Sequence, residues 1–193
     1  MTAVRGGCGG PPLASYSETV SERTLVATDG SCLRNPGGAT GWAYVREDGA
    51  WAYGGGPVGT NQIGELMAVV IALTDHRDEP LEIQSDSAYA IGCATTWKAG
   101  WQRNSYINSQ RKQVSNLEIV QTLHELVDTR SAPVVFTKVK GHDLSNRWPL
   151  NTAVDQVCGW AAVAAQEAGS AVTATGVLEI NWAQRVPRRS ALA

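Results

Sequence analysis

No stretch of this chain approaches the roughly 18 consecutive apolar residues that a membrane-spanning helix needs, so no membrane partner is expected. The opening residues, MTAVRGGCGGPPLAS, carry one Arg and no apolar run. They make a poor secretory leader, and a cytoplasmic location is expected. Cysteine is scarce: the four residues, at 8, 32, 93 and 158, form no CxxC pair and no Cys/His cluster with zinc spacing. Free thiols follow from that, rather than disulfides or a structural zinc. Charge of either sign is nearly balanced, at a net −2, and the sum by itself speaks against a nucleic-acid partner. Position matters more than the sum. Residues 87–117 hold no Asp or Glu, while Lys98, Arg103, Arg111 and Lys112 all fall there.

What is present reads as one globular domain with tails, since 193 residues suit a single core and fall short of two. Residues 1–22 are rich in Gly, Pro and Ser and read as a flexible arm. The domain is expected over 23–168, with a tail over 169–193 that adds a short strand at 176–180 and a basic end with Arg185, Arg188 and Arg189. Within the domain, β-prone runs at 23–29, 41–47 and 50–54 are joined by a Gly-rich turn and an Asp48-Gly49 hairpin, which predicts an antiparallel meander. Asn61 is expected to cap a buried helix that ends near His76, and a short strand, 81–85, stops at Asp86. Helices follow over 87–96 and 116–129, then a strand over 133–139 and a last helix over 152–167. The order predicts an α/β fold: a mixed five-stranded sheet, its first three strands antiparallel, with helices packed on it.

Four carboxylates stand at the ends of these elements: Asp29, Glu65, Asp86 and Asp155. Each alone has a structural reading. Asp29-Gly30 and Asp86-Ser87 are turn and helix-start signals, and Glu65 and Asp155 near helix N-termini complement the helix dipole. Together they carry another meaning, because sheet-end and helix-start positions can converge on one edge of an α/β sheet. Four carboxylates held close repel one another without cations. Oxygen-only ligands suit hard ions, above all two Mg²⁺, with Mn²⁺ as a substitute. Two such ions serve phosphodiester hydrolysis.

The segments around these residues resemble the type I ribonuclease H (ribonuclease HI) family. TDGSCLRNPGGATGWAYV is similar to its opening motif, and TNQIGELMAVVIAL to its glutamate helix. QSDSAYAI is similar to its second aspartate motif, and VKGH followed by NTAVDQVCGWA to its closing histidine loop and last aspartate helix. The resemblance runs in order from about residue 23 to 168. It implies the ribonuclease H-like fold and an endonuclease that hydrolyses the RNA strand of RNA–DNA hybrids, leaving 5′-phosphate and 3′-hydroxyl ends. It implies that Asp29 bridges two metals, that Glu65 and Asp86 hold the one on the leaving-group side, and that Asp155 holds the one beside the attacking water. His142 would assist proton transfer or product release.

The resemblance also assigns the substrate face. Gly30, Ser31, Cys32 and Asn35 match a loop that contacts RNA sugars, and Asn61 and Gln62 a polar pair facing the minor groove. Thr60 and Asn116 match positions that hold a DNA phosphate, although both also read as helix caps. TTWKAGWQRN is similar to the start of a basic protrusion, with Trp97, Lys98 and Trp101 against the DNA strand; Trp97 equally reads as core packing. Ala88 stands where many members carry Gln, and the segment from His142 to Asp155 is longer than the family's usual loop. A non-catalytic hybrid-binding module of the same fold, a stabilising subunit of a replication complex, and an integrase or junction nuclease are the competing readings. The protein is expected to act as a monomer.

Overall fold

The computed structural model describes residues 23–141 and 145–182. Strands β1 (Thr24–Cys32), β2 (Thr40–Arg46) and β3 (Ala50–Gly56) form the antiparallel meander. After helix α1 (Asn61–Asp75), strand β4 (Leu81–Ser85) returns parallel to β1. Helices α2 (Ala88–Ala94), α3 (Lys98–Arg103) and α4 (Leu117–Thr129) lead to strand β5 (Val134–Lys138), parallel to β4. Helix α5 (Pro149–Ala168) and strand β6 (Val172–Val177) follow. The sheet has six strands, in the order β5-β4-β1-β2-β3-β6.

The sixth strand corrects the expected count of five. It lies earlier than the run expected at 176–180 and pairs antiparallel with β3, from Ala50↔Val177 to Gly55↔Val172. Folded structure therefore continues past Ala168, where the sequence suggested that a tail begins. The last helix also begins earlier than expected, at Pro149, whose fixed φ suits the first helical position. Asp155 consequently sits in the second turn of α5, and a Thr152 capping box does not form; Thr152 Oγ1 donates to Asn146 Oδ1 at 2.8 Å instead.

Alternation along β1 divides the core. Val26 faces a cluster built with α1, α2 and α4, including Leu66, Val69, Leu73, Val120 and Leu123. Leu25 and Ala27 face the other way, onto α5 through Val154, Val157 and Cys158. Each of the buried Val and Leu side chains among these contributes about 1.5–3 kcal/mol. Two glycines let helices approach the sheet to backbone contact. A Cβ on Gly41 of β2 would lie 2.2 Å from the Cys158 carbonyl oxygen of α5. A Cβ on Gly30 of β1 would lie 2.1 Å from Glu65 N and from the Gly64 carbonyl carbon of α1.

Candidate metal centre

Period-2 geometry decides where Asp29 points. It shares the face of Leu25 and Ala27, so its carboxylate turns toward α5. There one carboxylate oxygen of Asp29, one of Asp155 and the Cys158 Sγ lie within 4.8 Å of one another. Gly30, the next residue, faces α1 and brings β1 against the backbone of Glu65. Its amide donates to Asp29 Oδ1 at 2.7 Å. Asp86 follows the last residue of β4, the strand parallel to β1. The four expected carboxylates thus reach one sheet edge from β1, the β4 terminus and the helices on both faces.

Electrostatics reflect the convergence. Burial, then the Asp86 carboxylate, pushes the Asp29 carboxyl from 3.8 up to about 8; Asp155 and Glu65 add to this and the Gly30 amide opposes it. Burial also raises Glu65, with Asp86 adding, while a hydrogen bond from Ser87 and the Lys138 ammonium pull it down. Crowded oxygen donors whose ionisation is penalised by one another are a donor set that a hard divalent cation fits.

Three neighbours of this centre were not singled out from the sequence. Ser87 Oγ donates to Glu65 Oε2 at 2.7 Å while accepting from Ala90 N at 3.0 Å, so one hydroxyl both caps α2 and orients Glu65. Lys138 Nζ donates to the backbone oxygens of Asp86 and Val139. Cys158 follows Asp155 by three residues, a spacing that puts both on one helix face and that could have flagged it. Gly141 is close-packed too: a Cβ there would lie 2.1 Å from Asp86 Oδ2. His142 lies outside the described residues.

The polar residues expected at the substrate face fall around the start of α1. Thr60, not Asn61, is the N-cap: its Oγ1 accepts from Ile63 N at 3.2 Å, and Asn61 is the first helical residue. The Asn61 amide donates to Asn35 Oδ1 at 3.2 Å, which ties the loop after β1 to α1. Cys32 Sγ turns into that loop, 3.4 Å from the Arg34 carbonyl oxygen. Gln62 lines a groove of about 470 Å³ with Tyr89, Trp97, Trp101, Asn108 and Ser109. The Trp97 and Trp101 rings lie 5.4 Å apart, as their spacing implies, and Trp97 stays 40% exposed. Asn116 makes no side-chain cap, in a left-handed conformation at φ 55°, and its Nδ2 donates to Tyr89 OH at 3.3 Å.

Lys98 departs from expectation. Its ammonium pairs with Asp128 of α4, and its side chain is only 16% exposed. The acid-free stretch of sequence therefore meets an acid in the fold, and the exposed cations of that stretch are Arg103, Arg111 and Lys112.

Comparison with known proteins agrees with the sequence motifs. The family model described as RNase H matches residues 21–163. A protein named ribonuclease HI from Streptomyces coelicolor is 41% identical over 160 residues, which cover 78% of this chain and 66% of the relative. Ribonuclease H of Tropheryma whipplei is 37% identical over 141 residues, 72% of this chain and 83% of the relative. Among solved structures, LC9-RNase H1, a type 1 RNase H with the type 2 active-site motif, superposes with a TM-score of 0.62 at 22% identity over 79% of each chain. A foamy viral protease–reverse transcriptase in complex with dsDNA gives 0.57 at 19% identity, covering 73% of this chain and 94% of that one. At those identities the two structures speak for the fold alone.

Proposed function

The chain belongs to the ribonuclease H family, and we propose on that footing that it hydrolyses the RNA strand of RNA–DNA hybrids with two Mg²⁺ ions, for which Mn²⁺ can substitute. The observation that carries this reading is the convergence of Asp86, Asp155 and Glu65 on Asp29, whose charges add to burial in pushing the Asp29 carboxyl up to about 8. When bound, the two cations activate a water and stabilise the leaving oxygen of the phosphodiester. Asp29, whose carboxyl feels the charges of Asp86, Asp155 and Glu65, would hold both cations, the one with Asp155 and the other with Glu65 and Asp86. Ser87 holds Glu65 in place by its hydrogen bond, and Gly30 fixes one oxygen of Asp29. His142 moves a proton at the reacting phosphate or speeds product release.

Hybrid recognition rests on shape, phosphates and 2′-hydroxyls, because A-like minor grooves present those features. Gly30, Ser31, Cys32 and Asn35 offer a close backbone approach to RNA sugars. Asn61 and Gln62 face the minor groove, and Thr60 and Asn116 hold a DNA phosphate. Trp97 and Trp101 give the DNA strand an apolar wall. Incubating the protein with end-labelled hybrid and Mg²⁺ tests this reading. RNA fragments with 5′-phosphates beside an intact DNA strand are expected, and an uncut RNA strand overturns it.

Two predictions arise here. Proton-transfer help is typically worth ~10²–10⁴-fold, less than the whole of a metal-dependent rate. His142→Ala should lower turnover on that scale and leave calorimetric Mg²⁺ binding intact; abolished metal binding would contradict its role. Phosphate contacts release counterions, so each one lost reduces the salt slope of binding by about one unit. Replacing Arg103, Arg111 and Lys112 together with Ala should weaken hybrid binding in Ca²⁺ and flatten its salt dependence. Binding titrations from low to moderate salt read this, and an unchanged slope would make the segment a solvated surface only.

A further inference from the structure

Residues 106–114 fold into a short hairpin beside the aromatic groove. Val114 N donates to the Tyr106 carbonyl oxygen at 3.0 Å, Ile107 bridges Gln113, and Asn108 N donates to the Lys112 carbonyl oxygen at 2.8 Å. Asn108 and Ser109 line the groove, and Arg111 and Lys112 stand exposed at the turn. Apart from half-buried Asn108, the residues between Tyr106 and Val114 are exposed, so the hairpin has no core of its own. Isolated two-stranded hairpins are marginal in water. The backbone here is costly as well. Ser105, Tyr106 and Arg111 hold left-handed φ angles of 51°, 60° and 59°, uncommon for residues that carry a side chain. Such conformations persist where their surroundings over-determine them.

His124 of α4 supplies that constraint. It is fully buried. Its Nε2 lies 2.9 Å from the Cys93 carbonyl oxygen, and a carbonyl only accepts, so this nitrogen carries the proton. Burial, foremost, holds the ring below its ordinary pKa and keeps it neutral at neutral pH. Nδ1 is then left to accept from the Tyr106 hydroxyl at 3.2 Å. The Tyr106 and Trp101 rings both stack on the imidazole, at 5.6 and 6.5 Å. One side chain therefore joins the end of α2, the Trp101 wall and the base of the hairpin.

We propose that His124 is a positioning residue for the DNA strand: through the Tyr106 hydroxyl it fixes the hairpin on α4 and so sets where Asn108, Arg111 and Lys112 meet the DNA backbone. This rests on the reading of the Trp97–Trp101 groove as the wall for that strand. His124 itself touches neither the substrate nor the metal centre.

Binding titrations of RNA–DNA hybrid in Ca²⁺ test this, with turnover at saturating hybrid in Mg²⁺ measured alongside. Tyr106→Phe removes one hydroxyl and keeps the ring. Its hybrid affinity should fall on the order of tenfold, and its salt slope should shrink by about one to two units as Arg111 and Lys112 leave their phosphates. Turnover at saturation should stay near that of the unaltered chain. The same substitution in a chain already carrying Arg111→Ala and Lys112→Ala should cost far less. Coupled residues show that non-additivity, and a merely destabilised fold does not. His124→Leu should have the larger effect; where it fails to fold, Tyr106→Phe decides. Unchanged affinity and slope in Tyr106→Phe, or an equal loss in both backgrounds, overturn the proposal and leave the hydrolytic reading standing. An unaltered chain that neither binds nor cuts the hybrid overturns that reading instead.

Discussion

Asp29→Asn is expected to abolish Mg²⁺-dependent cleavage and, at the same time, to stabilise the metal-free protein. The lost activity follows from the proposed role of Asp29 in holding both cations. Several kcal/mol of metal stabilisation vanish with its charge, a loss on the order of 10³-fold or more. The gained stability follows from the raised carboxyl. In the unfolded chain Asp29 ionises near 3.8, and in the folded chain near 8. Between those values the unfolded state has released a proton that the folded state still holds, so stability falls as pH rises through that window. Above about 8 the penalty is fully present, and below 3.8 it is absent. Asn does not titrate. Thermal melts in chelator should therefore show a melting-temperature gap that favours Asp29→Asn and widens from about pH 4 to pH 8. Parallel melting curves, or near-normal turnover by the folded variant, would contradict the assignment of Asp29.

Gly30→Ala is expected to damage fold and activity together. The resemblance gives Gly30 a role in approaching RNA, and on that account alone Ala would raise KM in an otherwise stable protein. The structure places its missing Cβ 2.1 Å from two backbone atoms of α1, at Gly64 and Glu65. No side-chain rotation relieves a clash with backbone, so β1 and α1 must separate. Overpacking of this kind typically costs 1–3 kcal/mol and occasionally more; here about 3 kcal/mol is expected. Glu65 moves with its helix, and turnover falls along with stability. Chemical denaturation distinguishes the accounts: an unchanged midpoint, with only KM altered, would leave Gly30 as a substrate contact and not a packing one.

The elements of the fold were largely legible because their periods are plain. The meander, the α1 run from Glu65 to Leu73 and the β-branched β5 each carry one dominant pattern. Strand β6 was misplaced because Val172, Thr173, Ala174 and Thr175 carry little hydrophobic contrast, and only pairing with β3 selects their register. The start of α1 shifted by one residue because Thr60 and Asn61 are both good caps, and the hydroxyl of Thr60 is the one that reaches Ile63 N.

At the site, the four carboxylates drew notice because the sequence set each at the end or start of an expected element; in the fold Asp29 lies inside β1 and Asp155 in the second turn of α5, and strand alternation and helix packing bring them near one another. Contacts between distant segments were not legible. Lys98 looked free of acids because Asp128 is thirty positions away, and only the packing of α4 brings it back. Gly30 read as a turn and substrate-loop residue, whereas its importance lies in touching the backbone of Gly64 and Glu65.

The most direct test of the central claim offers the purified protein three duplexes of one sequence, RNA–DNA hybrid, duplex DNA and duplex RNA, with Mg²⁺ and with chelator. Cleavage confined to the RNA strand of the hybrid, and lost on chelation, is the predicted result. Cleavage of duplex DNA, or of the hybrid without a divalent ion, would contradict the account.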